Sequence, residues 1–408
     1  MENRELFSLG ELYPSDFLKP DELPRSEPVE LKLVMDRNDI VRLAKSAPND
    51  MLWGKYWYRS SVTSTMRNEL QNIVDSILPL VKYKEADIWC DIACNDGTLL
   101  SNVPHDFVRI GVDPVGQPYA DMAKCHAHVF INDYFSAEVY KRATQKKAKV
   151  VTSIAMFYDL EKPEDFIRDV YDILDDEGIW VMQLSYTPAM LLQRAFDNIC
   201  HEHKVYWWLS NLRLLLHDYD FRIMDCQLND INGGSFRLYI MKADGCLKRF
   251  GTRPYQDVCD IRIKSIVEYE KWMQIANPET WVKFGKAIEQ LRYDVKDFAM
   301  RWKTRGKKVW AYGASTKGNT LLQYFGLDHN FIEGIAEKSR EKWGLRTVGT
   351  NIPIHPEDKM READPDYLFI LPWHFIKEFK EREKKYLLEG GKFLVPCPIF
   401  EIIDKNDL

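Results

Sequence analysis

Several stretches place chemically capable side chains at spacings that suit work on a ligand. In Asp87–Leu100 (DIWCDIACNDGTLL) an apolar run ends at Asp91, passes through Ala93-Cys94-Asn95-Asp96-Gly97 and enters Thr98-Leu99-Leu100, the start of a helix. Strand, tight small-residue turn and helix N-terminus is how doubly wound α/β sheets meet nucleotide-like ligands, because the turn lets backbone amides come close. Asp113 lies 22 residues after Asp91 at the end of the next apolar run, and Asp133 with Phe135 follows the run after that. Acids in this order suit a cationic amino-acid tail at Asp91, ribose hydroxyls at Asp113 and an adenine amino group at Asp133, with Phe135 beside the ring. The backbone of Ala93, Asn95, Asp96 and Gly97 would let the tail pass. The cofactor expected from the whole pattern is S-adenosyl-L-methionine. A nicotinamide cofactor is the alternative, set against a loop whose one glycine is Gly97.

The second stretch is Asn198–His203, NICHEH. It reads as a polar helical segment, as half of a metal pair, or as a general base. The histidines at 201 and 203, flanking Glu202, fit the last reading, since an imidazole with an ordinary pKa of about 6.5 can take a proton next to a carbonyl and a neighbouring carboxylate can orient it. Asn232–Ser235 (NGGS) is either a hairpin turn, which Asn-Gly-Gly favours, or a place where amides approach a substrate. Gly313–Thr320 (GASTKGNT) follows an apolar run; Lys317 precedes Gly318, so the order G-x-x-x-x-G-K-[ST] of a phosphate-binding P-loop fails. A loop with Ser315, Thr316 and Lys317 could still hold a pyrophosphate, or be turn chemistry alone. His374, in Leu371-Pro372-Trp373-His374, falls at the end of a later strand on the same sheet edge. Tyr56, Tyr58 and Arg59 form either core and surface or a polar-aromatic wall over a ligand.

The elements that must carry these residues follow from periodicity. Apolar runs at Ile88–Asp91, Val108–Asp113, His128–Asn132, Lys149–Ile154 and Ile179–Leu184 alternate with amphipathic segments, which predicts a largely parallel sheet with helices on both faces. A long helical region over 188–219 precedes two strands, Phe221–Leu228 and Ser235–Met241, a closing hairpin of the kind a class I methyltransferase sheet carries. Helices are expected at Asp257–Ile275 and Glu279–Lys303, then a second α/β unit with strands at Lys308–Tyr312, Phe331–Ala336, Tyr367–Leu371 and Lys392–Pro396. Pro14, Pro20, Pro24 and Pro28 break the first 55 residues into short pieces, read as a small irregular lobe. The expected division is 1–64, that lobe; 65–245, a Rossmann-like sheet that binds S-adenosylmethionine; and 246–408, a helical bridge with a second Rossmann-like domain.

Composition narrows the class. A net charge of −6 leaves no basic excess to neutralise phosphates, which argues against nucleic acid as a partner. No apolar run approaches the roughly 20 residues that span a bilayer, so no membrane partner is expected. The start, MENRELFSLG, lacks a basic region followed by an apolar one, and none of the eight cysteines forms C-x-x-C. Reduced, mostly buried thiols in a cytoplasmic protein are the expectation.

With these residues in hand, the chain resembles the S-adenosylmethionine-dependent sugar C-methyltransferases that act on nucleotide-linked keto sugars. The resemblance runs nearly end to end, through YWYRSS, DIACNDGTLL, GVDP, INDYF, SIAMFYDLEKP, DNICHEH, NGGSFRLY, YGASTKGNTLLQY and TVGTNIPI. It implies a central methyltransferase domain, a C-terminal substrate-binding domain and a nucleotide-linked sugar as substrate. It also implies that His203 is the base with Glu202 in support, and that Tyr58 contacts substrate. Asp159, Asn232, Ser315, Thr316, Lys317 and His374 complete the expected substrate-binding set. Family members carry four zinc cysteines in the N-terminal lobe. Met35 and Asp39 stand where the second pair would fall and the first pair has no counterpart, so no metal is expected. Cys200 and Asp159 replace a Tyr and a His of better-known members, which leaves the sugar and its methylated carbon open. The other readings are an O- or N-methyltransferase on a small metabolite and a scaffold protein that kept the fold.

Overall fold

The structure, a computed structural model, describes residues 3–48, 52, 57–244 and 250–408; Tyr56, Cys246 and the expected boundary at 245/246 lie outside them. The described residues fall into two compact units. One draws on Met1–Leu52, Ala189–His203 and Asn277–Leu408, the other on Trp53–Pro188 and Lys204–Ala276.

The first unit opens with β1 (Arg4–Leu12), β2 (Phe17–Leu18), β3 (Val29–Met35) and β4 (Val41–Leu43). β3 pairs antiparallel with both β1 and β4, so a small sheet runs through the segment expected to be irregular. Its pattern hides this: β1 buries Leu6, Leu9 and Leu12 at a spacing of three, because register shifts at Glu5/Phe7 and Ser8/Glu11 interrupt the two-residue alternation. Asp36 builds the β3–β4 turn by accepting from the amides of Asn38 and Ile40 and from Arg42. Met35 is buried on β3 and Asp39 sits at φ 58° in that turn.

The second unit holds β5 (Ile88–Ile92), β6 (Val108–Val112), β7 (Val129–Ile131), β8 (Ala148–Ile154), β9 (Leu174–Ser185), the short β10 (Val205–Tyr206), β11 (Phe221–Asn229) and β12 (Ser235–Lys242). Seven of them form one sheet in the order β11-β12-β9-β8-β5-β6-β7, with β12 antiparallel to both its neighbours. This is the mostly parallel sheet with a reversed closing strand of the class I methyltransferase fold. Every residue of β5 is buried, as a central strand covered on both faces requires. Helix Ser64–Ile77 covers one face with Met66, Leu70, Ile73, Val74 and Ile77, a three-to-four spacing, and Thr63 caps it by accepting from the Met66 amide. The connections from β5 and β8 leave in opposite directions, which puts the opening at the carboxyl ends of these two neighbouring strands.

The region expected to be one long helix is broken into helix Thr187–Leu192, a turn at Phe196–Asn198, β10 and helix Leu209–His217. Arg194 takes φ 49°, which no helix tolerates, and buried Asp197, Asn198 and His201 spend polar groups on local and distant partners.

The first unit resumes with β13 (Val309–Tyr312), β14 (Ile335–Glu337), β15 (Arg346–Thr347), β16 (Ile354–Pro356), β17 (Tyr367–Ile370), β18 (Lys392–Val395) and β19 (Glu401–Ile403). The sheet runs β16-β14-β13-β17-β18-β19, parallel except for β19. The Gly313–Thr320 stretch, expected as a loop, is a loop only to Ser315. Ser315 caps helix Thr316–Phe325 by accepting from the Gly318 amide at 2.9 Å, so Thr316 and Lys317 form the helix's first turn. The N-terminal segment docks on this helix. Gln323 holds both backbone groups of Tyr13, at 2.8 and 3.1 Å, and Asn319 reaches Ser15 and the Asp16 carbonyl.

Candidate functional site

The turn after β5 is a left-handed one: Ala93, Asn95 and Gly97 have φ of 60°, 51° and 77°. Gly97 is required twice over, by its φ and because a Cβ there would stand 3.0 Å from Ala123 Cα. The side chains of the turn hold its surroundings. Asn95 accepts from the Ser60 amide and donates to the Tyr58 carbonyl, both at 3.0 Å, and Asp96 accepts from the Ser61 amide and from Thr98. Tyr58, Ser60 and Ser61 are therefore strapped to the turn that sequence marked as a cofactor loop.

Two acids stand at the adjacent strand ends. Asp91 accepts from the Thr152 hydroxyl at 2.6 Å. Burial pushes its carboxyl up to about 7, against that hydrogen bond, with the charge of Asp113 adding to the rise. Asp113 accepts from the Asn95 and Val115 amides at 2.7 and 3.0 Å, and burial still raises it to about 6. Neither forms an ion pair among the described residues. Two desolvated carboxylates lacking a cation fit a ligand that carries its own positive charge. Asp133 is exposed after β7, accepting from the Tyr134 amide, and Phe135 lies edge-on to Phe166.

The imidazole cluster belongs to the other unit. Asn198 lies at its centre. Its side-chain Nδ2 donates to the Ala195 carbonyl, which turns Oδ1 toward Lys317, and Lys317 Nζ donates to that oxygen at 2.6 Å. The Asn198 carbonyl is 2.8 Å from His203 Nδ1. A carbonyl can only accept, so Nδ1 carries the hydrogen and Nε2 holds the lone pair. Burial and the Lys317 charge together depress His203 to about 3, and the same two causes depress His374 to about 3. Burial raises the carboxyls of Asp197 and Glu202, while Lys317 pulls both down. Asp197 accepts from the Trp373 indole at 3.1 Å, which ties the end of β17 to this segment. Asp197 Oδ1 and Glu202 Oε2 are buried with no hydrogen-bond partner among the described residues.

His201 faces elsewhere. Its Nε2 donates to the Val29 carbonyl at 3.0 Å and burial depresses it to about 4, so the two histidines of the motif do not converge. Among the described residues no group of three or more His, Cys, Asp or Glu could hold a metal ion. Sequence thus marked His203, Glu202, Lys317 and His374, and one unit brings their charges together. Asp159 ends a turn after β8, and Asn232 takes φ 53° in the β11–β12 hairpin; both belong to the other unit. Sequence reasoning missed Asp197, Asn198, Trp373 and Thr152. Asp197 and Asn198 lay within the quoted DNICHEH run, but their partners are 176 and 119 residues away.

Residues 62–225 match the methyltransferase domain family, and residues 230–398 match the C-methyltransferase C-terminal domain family. The C-methyltransferase NovU of Streptomyces niveus is 27% identical over 352 residues, 86% of this chain and 81% of that protein. Solved structures with likeness include the plantazolicin methyltransferase BamL in complex with a triazolic desmethylPZN analog and SAH (14% identity, 45% of this chain and 87% of that one, TM-score 0.35). Another is the magnesium protoporphyrin IX methyltransferase of Synechocystis PCC 6803 with bound SAM (13%, 43% and 79%, TM-score 0.32). A reversed-strand seven-stranded sheet, a methyltransferase-domain match over 62–225 and a C-methyltransferase C-terminal-domain match over 230–398 together make this chain an S-adenosylmethionine-dependent methyltransferase.

Proposed function

We propose that the chain methylates carbon on a nucleotide-linked keto sugar, with His203 as the base. The observation that carries this reading is the His203 ring, fixed by Asn198 with its lone pair on Nε2 beside an ammonium held by a neutral amide. In this reading Asp91 faces the cationic tail of the cofactor, Asp113 its ribose and Asp133 with Phe135 its base, while the Ala93–Gly97 backbone lies along it. S-adenosylmethionine, when bound, would supply an electrophilic methyl group: a carbon nucleophile would form the new C–C bond as the S–CH3 bond breaks and S-adenosylhomocysteine leaves. His203 Nε2 takes the proton from the carbon next to the ketone and leaves an enolate, and Glu202 stabilises the imidazolium that forms. Lys317, which makes no ion pair among the described residues, suits an anionic acceptor such as a sugar diphosphate, with Ser315 and Thr316 at the helix start. His374, Tyr58, Asp159 and Asn232 are the remaining proposed substrate contacts. Positioning can supply about 7–11 kcal/mol and base catalysis about 10²–10⁴-fold.

The test is mass spectrometry of products after offering a panel of nucleotide-linked keto sugars with methyl-labelled S-adenosylmethionine. Label on the carbon beside the ketone supports the reading. Label on oxygen or nitrogen overturns it.

A further inference from the structure

We propose that Lys317 and Asn198 act as positioning residues that tie His203 to the occupancy of the Ser315–Lys317 turn, holding the imidazole neutral until an anionic substrate group arrives. The proposal rests on the base reading above. Two hydrogen bonds through one residue make the link: Lys317 Nζ to Asn198 Oδ1 at 2.6 Å, and His203 Nδ1 to Asn198 O at 2.8 Å. Asn198 is itself buried and its amide is pinned by the Ala195 carbonyl, so neither partner swings freely. The ammonium is bound by a neutral oxygen, although the carboxylates of Asp197 and Glu202 both feel its charge. Its positive charge is thus left to act on the imidazole, as a cation nearby disfavours a protonated ring.

Lys317, from helix Thr316–Phe325, is a charge that acts on His203. The same ammonium acts on His374 in the turn after β17 and on Asp197 and Glu202 in the segment that carries His203. Lys204, next in the chain, is paired to Glu161. Lys317 is the one whose charge bears on His203, His374, Asp197 and Glu202 alike. A diphosphate set against Lys317 would cancel that charge. His203 would then bind a proton more readily, gaining base strength when a substrate with the right anionic group is present. The anion requirement and the deprotonation would share one lysine.

The experiment is a pH titration of the full chain carrying ring-labelled histidine, read by NMR, with His203 signals assigned by their loss in His203→Gln. The wild-type midpoint should lie well below that of an ordinary histidine. Lys317→Met should raise it by about one unit or more, and Lys317→Arg should restore it. Asn198→Ala keeps the backbone carbonyl and loses the anchor for Lys317 together with the side-chain bond to the Ala195 carbonyl, so the midpoint should rise by less while the Nδ1–H tautomer persists. Inorganic pyrophosphate added to the wild-type chain should raise the midpoint too, and the acid limb of the kcat/KM profile should shift with it in Lys317→Met. A midpoint unmoved by both Lys317→Met and pyrophosphate overturns the proposal, as does Lys317→Arg moving it as far as Lys317→Met. If Lys317→Met does not fold, the pyrophosphate titration and Asn198→Ala decide by the same criterion. A His203→Gln chain that still methylates would overturn the base reading instead, while the ring titrations would still judge the relay.

Discussion

Asp91 and Asp113 show what burial does to an acid that hydrogen bonds reach but, among the described residues, no cation pairs. Their carboxyls rise to about 7 and about 6, so the ligand-free protein holds protons there that an unfolded chain would release near pH 4. The unfolded state then binds fewer protons between those values, and stability falls as pH rises from about 4 through 7. A cationic ligand reverses the preference, because it favours both ionised forms. S-adenosylmethionine affinity, followed by calorimetry between pH 5.5 and 8.5, should therefore weaken as pH falls below 7, by up to about tenfold per unit for each proton released on binding. Asp91→Asn removes a charged acceptor and should weaken binding by about 1.5–3 kcal/mol, roughly 10- to 150-fold. The same variant should raise the melting temperature of the ligand-free protein near pH 8 by about 2–4 °C, read by calorimetric scanning. A flat affinity profile across that range would remove Asp91 and Asp113 from the cofactor site. Both acids were legible in sequence because each ends an apolar run. Their shared isolation from cations was not, since it depends on what β6 and β8 bring alongside β5.

At the level of elements, the closing hairpin of the second unit is locked to helix Ser64–Ile77 by one buried arginine. Arg237 on β12 reaches Glu69 at 2.7 Å, Asn72 at 3.0 Å, Ser76 at 3.1 Å and Gln183 on β9 at 2.9 Å. The pair is almost fully buried, so losing one partner strands the other. Arg237→Ala should cost about 3–5 kcal/mol in urea unfolding, and Glu69→Gln less, because Gln keeps an acceptor. A second polar lock joins helix Arg253–Trp272 to helix Leu209–His217. Buried Glu270 accepts from the amides of Leu209 and Ser210 and from the Tyr186 hydroxyl, closing the helix start with a carboxylate from outside it. Glu270→Ala should cost about 1–3 kcal/mol and show first as faster amide exchange at Leu209 and Ser210. Strands and helices with regular spacing were visible in sequence here. The broken 188–219 region was not, because its apolar residues repeat like a helix while Asp197, Asn198 and His201 are committed to partners far along the chain.

For the whole molecule, the proposed chemistry divides between the two units: Asp91 belongs to one and His203 to the other. A proton-exchange assay can separate them. With a keto-sugar substrate in deuterated water, exchange at the carbon beside the ketone should persist in Asp91→Asn, whose methyl transfer falls with its weakened cofactor binding, and should vanish in His203→Gln, which keeps S-adenosylmethionine binding. Exchange lost in both, or kept in both, would break this division of labour. By itself the sequence determined the parallel sheet, the small-residue turn after β5, the acids at the strand ends and the HEH segment, because each depends on residues close in the chain and on a local period. Only the tertiary structure decided that residues 189–203 join a unit with the first 52 and the last 132, that His203 carries its hydrogen on Nδ1, and that Lys317 rests on an amide rather than a carboxylate. The Lys317 contact spans 119 residues, where spacing carries no signal, and the His203 tautomer, though set by a carbonyl only five residues back, depends on how the folded backbone turns that carbonyl to the ring.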